Sequence, residues 1–564
     1  MAISEAAGSA LEAVDAGLLM AHVREFAKRV KLSGTPAELE SFGYLEARMR
    51  EYGFRTTLIE HDAYISLPGK AELKVDGQSL VCITHSMSAP TPKQGLHGKL
   101  VFVGEGEESD IVGKDVSGKI LLVDGIATEE VADRASRAGA LAHIHVSPTE
   151  HLYEMCISPV WGSPSQHTLG NLPTTAAATI SRDDGARLRE RCLAGEEVEA
   201  FLTTEVDTGW RKTPLLVAEL NAPQGGADAP FVMLSGHHDT WHFGVMDNGT
   251  ANATMLEVAR LIASRRPTLR RGLRVCFWSG HSHGRYSGSA WYADEYWHEL
   301  EQRCVAHVNV DSTGGVGASV LTNSGVTYEL AGVAAEAVKA VSGQTHAGRR
   351  QGRAADQSFW GVGIPAMFGS VSHQPPGPVK MLTALGWWWH TPHDLLANID
   401  EANLVRDTRL ILKVVLNLLE SPVLPLDYAA YAEALIAELS RIETALEERL
   451  DISVLTAKAF ELKANAERLK QKAGVEAKAE ACNRALMRVS RALVPLNYTY
   501  GDRFRHDPAL SHPAWPSLEG LRELARAEKG STELPFCIVH ARQVRNRALH
   551  ALHEANAAFE TVLA

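Results

Sequence analysis

No run of this 564-residue chain approaches the roughly 18 consecutive apolar residues that a membrane helix needs, which excludes a helical membrane protein. No Lys/Arg-rich run interrupts a net charge of −12, so no nucleic-acid partner is expected. The opening stretch, MAISEAAGSALEAVDAGLLMAHVREF, has acids where a secretory signal needs a basic region, and it reads as an amphipathic helix. The 7 cysteines are scattered, odd in number and form no CxxC, which excludes a zinc knuckle or a disulfide framework. Reduced thiols and no leader predict a cytoplasmic protein. No internal repeat or biased tract is visible. With 45% hydrophobic and 22% charged residues the composition is that of a globular protein, and the length exceeds what one core supports.

The texture changes along the chain. Residues 10–64 read as helix, helix, strand, with Leu39, Phe42, Leu45 and Met49 on one helical face that stops at Gly53. Residues 66–205 carry short β-rich runs such as GKLVFVGEG and GKILLVDG, punctuated by Gly and Asp. From 206 an α/β alternation returns, with LLVAEL, FVMLSG, LRVCFW and VAHVNV as buried-strand runs and helical stretches such as ATMLEVARLIASRR between them. Beyond Pro422 the chain is helical, and Leu435, Leu439, Ile442 and Leu446 recur at bundle spacing.

In open α/β sheets, ligands bind beyond the carboxyl ends of the strands. Just past FVMLSG come His237, His238 and Asp239, with Asp247 at the mouth of the next helix. Past LRVCFW come His281, Ser282 and His283; past VAHVNV comes Asp311; past Trp387-Trp388-Trp389 comes His390. Imidazole and carboxylate converging from these five points is the donor set of a borderline divalent metal, zinc first, with iron or manganese as alternatives.

On these motifs the chain resembles the co-catalytic zinc peptidases of the glutamate carboxypeptidase II and transferrin receptor type. GHHDTWHFGVMDNGTANA is similar to that family's first metal motif, and NVDSTGG, GRAADQSFWGVGIPAMF and WWHTPHD follow in family order. The resemblance implies a zinc-aminopeptidase-like mixed sheet flanked by helices, formed by residues 1–65 and 206–420. It implies an inserted β-rich protease-associated domain at 66–205 and a C-terminal helical bundle at 421–564 that makes a homodimer. By position, His237 and Asp311 would bind one ion, Asp247 would bridge two, His390 would bind the second, and Asp239 would orient His237.

The family carries two adjacent glutamates, a general base followed by a ligand of the second ion, where this chain has Ser282 and His283. His283 can coordinate, which gives a second site of His283, His390 and Asp247 with one negative charge fewer. One ion or two per chain are both compatible with this set. Ser282 cannot take a proton as glutamate does, and losing a positioned base costs about 100- to 10,000-fold in rate. If 281–283 is extended, His281 points the same way as His283 and reaches the metal; it reads equally as a surface histidine. His238 and His242 are the other imidazoles at hand. Arg353 and Asp356 lie in the segment that lines the substrate pocket by resemblance, where Arg353 is suited to clamp a carboxylate. Trp389 and its neighbours are suited to wall an apolar pocket, and His151, Tyr153 and Trp161 to reach over the site. Three functions follow: a metal-dependent hydrolase of an amide-type bond in a small molecule or short peptide; a lyase or iron-dependent enzyme on the same scaffold; and an inactive binding protein.

Overall fold

The computed structural model describes residues 9–224, 226–377, 384–472 and 478–564. Its spine is a pair of long antiparallel strands, Arg55–Val75 and Glu199–Leu220, in register from Arg55 opposite Glu219 to Val75 opposite Ala200, with a shift between Pro68 and Ala71. The two ends of this ribbon serve different layers. Leu216–Leu220 borders Gly272–Trp278, whereas Glu199–Leu202 borders Leu96–Phe102. One strand thus belongs to both a large and a small lobe.

In the large lobe Ala366–Ser370, Cys304–Asp311, Phe231–His237 and Gly272–Trp278 are parallel neighbours in that order, and the last turns antiparallel against the ribbon. Every residue of Phe231–His237 and Gly272–Trp278 is buried, which is why both read as unbroken apolar runs. The helices Ala251–Ser264 and Glu401–Glu420 cover one face, where Met255, Val258 and Ile262 join the main core; Tyr292 and Leu300 pack with Trp278 on the other.

The inserted lobe has its own core around Ile120, Leu122, Ile144, Ala178 and Leu202. Four of its strands, Leu96–Phe102, Ile120–Asp124, Ala142–Val146 and Ala176–Ile180, run parallel, and two helices, Glu129–Arg137 and Arg182–Leu193, accompany them. The chain after 421 forms long helices, Tyr428–Leu446, Ser453–Lys472, Ala479–Tyr498 and Leu534–Leu563. Leu435, Leu439, Ile442 and Leu446 are buried as their spacing predicts, in a core continuous with that of the large lobe. The loop after Tyr498 returns to the inserted lobe, where the Ala509 amide donates to Pro159 O at 2.8 Å. Among the described residues no helix is long and apolar enough to cross a membrane.

Candidate metal centre

Parallel strands deliver His237 and Asp311 to one rim of the sheet, because both are the last residues of neighbouring strands. The His237 ring is aimed from behind: Nδ1 lies 2.8 Å from the backbone carbonyl of Asp239, so Nδ1–H donates there and Nε2 keeps its lone pair. That Nε2 lies 3.0 Å from Asp247 Oδ1 and 3.7 Å from Asp311 Oδ1. The other oxygen of Asp247 is 3.1 Å from Nε2 of His390, whose Nδ1 donates to the carbonyl of Glu154 at 2.6 Å. Asp247 therefore stands between two imidazoles, each fixed by a carbonyl on its far side.

The His281–Gly284 segment decides the rest. It is one turn of helix between left-handed residues at Gly280 (φ 76°) and Arg285 (φ 47°), and not an extended strand end. The Asp239 carboxylate causes this, since it accepts the N–H groups of both His281 and Ser282, at 3.3 and 2.9 Å. In a helical turn, side chains two apart diverge. His281 and His283 accordingly face different partners, which corrects the expectation that they point the same way.

His281 stacks on His237 with ring centroids 3.7 Å apart, and its Nδ1 lies 2.8 Å from Asp356 Oδ2. Ligand atoms of His237, His281 and Asp311 all lie within 4.8 Å of one another. Burial works against ionising Asp356, but His281, with His237 and the Ser289 hydroxyl, outweighs it and holds that carboxyl below its ordinary value. His283 is fully buried, and burial lowers it to about 3. Its Nδ1 is 3.0 Å from Ser33 Oγ, which itself donates to Asp239 Oδ2 at 2.7 Å. The Ser33 hydroxyl proton is committed to Asp239, and the Ser33 backbone N–H reaches Nδ1 only at 3.5 Å, so the shorter 3.0 Å contact favours Nδ1–H donating to Ser33 Oγ and leaves the lone pair of His283 on Nε2.

Three polar atoms at this centre, His237 Nε2, Asp247 Oδ1 and His283 Nε2, are buried and make no hydrogen bond; the first two face each other at 3.0 Å as lone pairs, because the His237 proton is on Nδ1 against the Asp239 carbonyl. Bare imidazole nitrogens and a carboxylate oxygen left unpaired and buried are costly unless a cation takes them. The residues present fit a divalent metal.

Other positions lie differently from expectation. His238 belongs to the core: its Nε2 meets Ser41 Oγ at 2.8 Å, its Nδ1 meets Asn252 at 3.2 Å, and Phe26 and Phe42 pack edge-on against it. Both nitrogens are spent, so it does not face substrate. Arg353 is no carboxylate clamp either. Its guanidinium donates to the carbonyls of Asp507 and Pro508 and lies 4.0 Å from the Trp161 ring. Asp356 faces His281 and not a substrate pocket. The Asp239 carboxylate shapes the 281–284 turn, and it is this residue's backbone carbonyl that orients His237. Ser282 Oγ is buried with no partner, so no imidazole activates it. Trp389 lies flat on His390 at 3.5 Å, and His242 Nε2 is 3.7 Å from a Glu154 oxygen. Burial pushes Glu154 up to about 7. From the inserted lobe, His151 stacks on Trp387 at 4.8 Å, and Tyr153 donates to the Trp387 carbonyl at 3.2 Å. No pattern in the sequence marks Ser33 or Glu154, which arrive from other lobes and distant segments. Asp394 is visible within TPHD, yet nothing there shows its task.

Imidazoles and carboxylates gathered in this way are a zinc-type donor set. Residues 216–415 match the model of Peptidase family M28. The chain is similar to a probable glutamate carboxypeptidase of Zea mays, VP8, at 26% identity over 363 residues, which is 53% of this chain and 50% of the relative. The chain thus spans half the length of that relative. It is similar to the aminopeptidase YwaD of Bacillus subtilis at 25% identity over 390 residues, 66% of this chain and 78% of the relative. Among solved structures, an aminopeptidase from Aneurinibacillus sp. strain AM-1 superposes with a TM-score of 0.57 at 22% identity, covering 72% of this chain and 95% of that one. A zinc aminopeptidase from Bacillus subtilis gives 0.56 at 21% identity, with the same coverage. The mixed sheet flanked by helices is the fold of those aminopeptidases.

Proposed function

We propose that the protein is a metal-dependent hydrolase that cleaves an amide-type bond in a short peptide or small molecule, with His281 held by Asp356 doing the work of a glutamate base. The observation that carries this reading is the 2.8 Å contact of His281 Nδ1 with Asp356 beside His237. Nδ1–H donates to the carboxylate, so Nε2 is the basic nitrogen, in the manner of other carboxylate-oriented imidazoles. His237, Asp311, Asp247, His390 and His283 would hold one or two divalent ions, zinc first. A bound ion supplies Lewis-acid polarisation of the scissile carbonyl and makes water more acidic.

The protein's own groups then handle the proton. His281 Nε2 takes one proton from the attacking water as oxygen bonds to the carbonyl carbon. It returns that proton to the leaving nitrogen as the C–N bond breaks. Asp356 keeps the ring in one tautomer and stabilises the imidazolium that forms between the two transfers. Trp389, stacked on His390, and the His151–Trp387 pair wall the approach from the inserted lobe.

We also propose that residues 66–205 form a protease-associated domain and 421–564 a helical dimerisation domain; exposed Phe460, Phe536 and Val539 on the C-terminal helices support a homodimer. The seven cysteines form no disulfide among the described residues, which suits the cytoplasm. Light scattering on the eluted protein tests the dimer.

The decisive experiment is metal identity and stoichiometry by mass spectrometry on protein purified anaerobically without added metal, followed by peptide and amide libraries on the same sample. Zinc with amide cleavage supports the hydrolase. Iron without cleavage favours the lyase or iron-dependent reading, and no metal at all leaves the binding protein.

A further inference from the structure

His281 is not held by Asp356 alone. The second oxygen of Asp356 accepts the Ser289 hydroxyl at 2.7 Å, Ser289 Oγ lies 2.9 Å from Ser358 Oγ, and Ser358 Oγ accepts the indole N–H of Trp161 at 2.9 Å. The direction of every proton follows from the two ends. An indole nitrogen can only donate, and an ionised carboxylate can only accept. Trp161 therefore donates to Ser358, Ser358 to Ser289, and Ser289 to Asp356, which receives His281 Nδ1–H on its other oxygen. Ser289, Ser358, Asp356 and Trp161 are all buried, so water does not compete for these bonds. A packing route runs alongside: the Trp161 ring lies 4.4 Å from that of Tyr286, and Tyr286 meets His281 edge-on at 4.8 Å.

Trp161 belongs to the inserted lobe, and everything else in the chain of bonds belongs to the large lobe. The seat is close. Gly162 donates to the Arg285 carbonyl at 2.7 Å, and a Cβ on it would stand 2.7 Å from that of Ala290. Arg285, one residue past the 281–284 turn, donates to Glu129 and to the Cys156 carbonyl of the inserted lobe and to the Ala509 carbonyl of the returning loop.

We propose that Trp161, Ser358 and Ser289 are positioning residues that couple the seating of the inserted lobe to the orientation of His281 through Asp356. The inference rests on the hydrolase reading for its catalytic consequence, though not for the geometry. When the inserted lobe lifts, Trp161 leaves, Ser358 and Ser289 are free to reorient, and Asp356 loses a donor that fixes its plane. Buried bonds of this kind act as a unit, and a double-mutant cycle is the test of that.

The experiment uses the full-length, metal-loaded chain and the variants Ser289→Ala, Ser358→Ala, the double variant and Trp161→Phe, the last of which keeps an aromatic ring on Tyr286 and Arg353. Each single variant is expected to lower kcat about 10-fold while KM and metal content stay within about twofold, and the double variant to fall no further than the worse single. Ser358→Thr, which keeps the hydroxyl, is expected to restore kcat. Losses that simply multiply in the double variant, or that appear in KM or metal content instead, overturn the proposal. Should the wild-type chain cleave no amide at all, the hydrolase reading fails by itself. The network is then judged by nitrogen-15-edited NMR of the resting protein: a His281 Nδ1–H resonance that moves in Ser289→Ala sustains it, and one that does not move overturns it.

Discussion

The carboxylate of Asp394 receives the backbone N–H groups of both Met246 and Asp247, at 2.8 and 3.0 Å. It thus grips the peptide whose side chain stands between His237 and His390. Burial pushes Asp394 up to about 7, against which the two N–H groups and the buried Lys31 ammonium favour the ionised form. Lys31 is itself tied to the carbonyls of Phe26 and Phe243, at 3.1 and 3.3 Å. Replacing Asp394 by Asn puts an NH2 group against a backbone N–H and removes one of the two grips. Groups that hold a metal ligand from behind are typically worth about 10- to 100-fold in metal affinity. Asp394→Asn is therefore expected to weaken metal binding by that factor in a chelator competition, with the circular dichroism of the metal-free chain unchanged. Unaltered affinity would mean that the Asp247 loop holds its shape without Asp394.

His283 and Ser282 are neighbours with opposite expectations. His283 has a bare, buried Nε2, and Ser282 has a buried hydroxyl aimed at nothing. His283→Ala is expected to lower the metal content by about one ion per chain wherever two are bound, and Ser282→Ala to leave it as it was. Mass spectrometry of the intact, desalted protein reads both. If the two variants bind metal equally, His283 is a core histidine and the second site lacks it.

Strand ends were readable because a parallel sheet puts the residue after each apolar run on a common rim; His237 and Asp311 needed nothing more. Their neighbour Asp247 followed from its place at the mouth of the next helix. What sequence could not supply was side-chain direction in the 281–284 turn. Whether that segment is extended or helical depends on Asp239, forty residues away, accepting two of its amides. The same blindness made His238 look like a site residue, although Ser41, from the helix Pro36–Glu51, claims its Nε2. Arg353 looked free because the carbonyls of Asp507 and Pro508 that absorb it lie about 150 residues on. Local pattern carries the scaffold, and long-range hydrogen bonds decide which of its polar groups remain available.

His281 is the group on which the proposed chemistry turns. His281→Ala is expected to reduce kcat about 100- to 10,000-fold, the range for a positioned acid–base group, with KM changed far less. Asp356→Asn should lose part of the same factor, because the ring remains while its tautomer is no longer fixed. Steady-state kinetics on the best substrate of an amide library measures both. Full activity in His281→Ala would remove it from the reaction and make Glu154 and His242 the next groups to test.

The inserted lobe carries an acid-sensitive cluster of its own. His85, His143 and His145 are each wholly buried; His143 Nδ1 lies 2.9 Å from His145 Nε2, and His85 Nε2 meets Thr179 at 2.7 Å. Burial lowers His85 to about 3 and His145 to about 4, and it drives His143 well below its ordinary value, with His145 and His85 adding to that last effect. In the unfolded chain each titrates near about 6.5. Below that pH the unfolded state binds protons that the folded lobe refuses, so stability is complete above about 6.5 and declines as the pH falls towards 4. Calorimetry of the whole chain is expected to show a transition that moves steadily to lower temperature across that window. His143→Gln combined with His145→Gln should flatten the slope while lowering the neutral-pH midpoint, since the buried packing is disturbed. A wild-type midpoint that stays level from pH 6.5 to pH 4 would show that the three imidazoles take up protons in place, and that the lobe opens to water without unfolding.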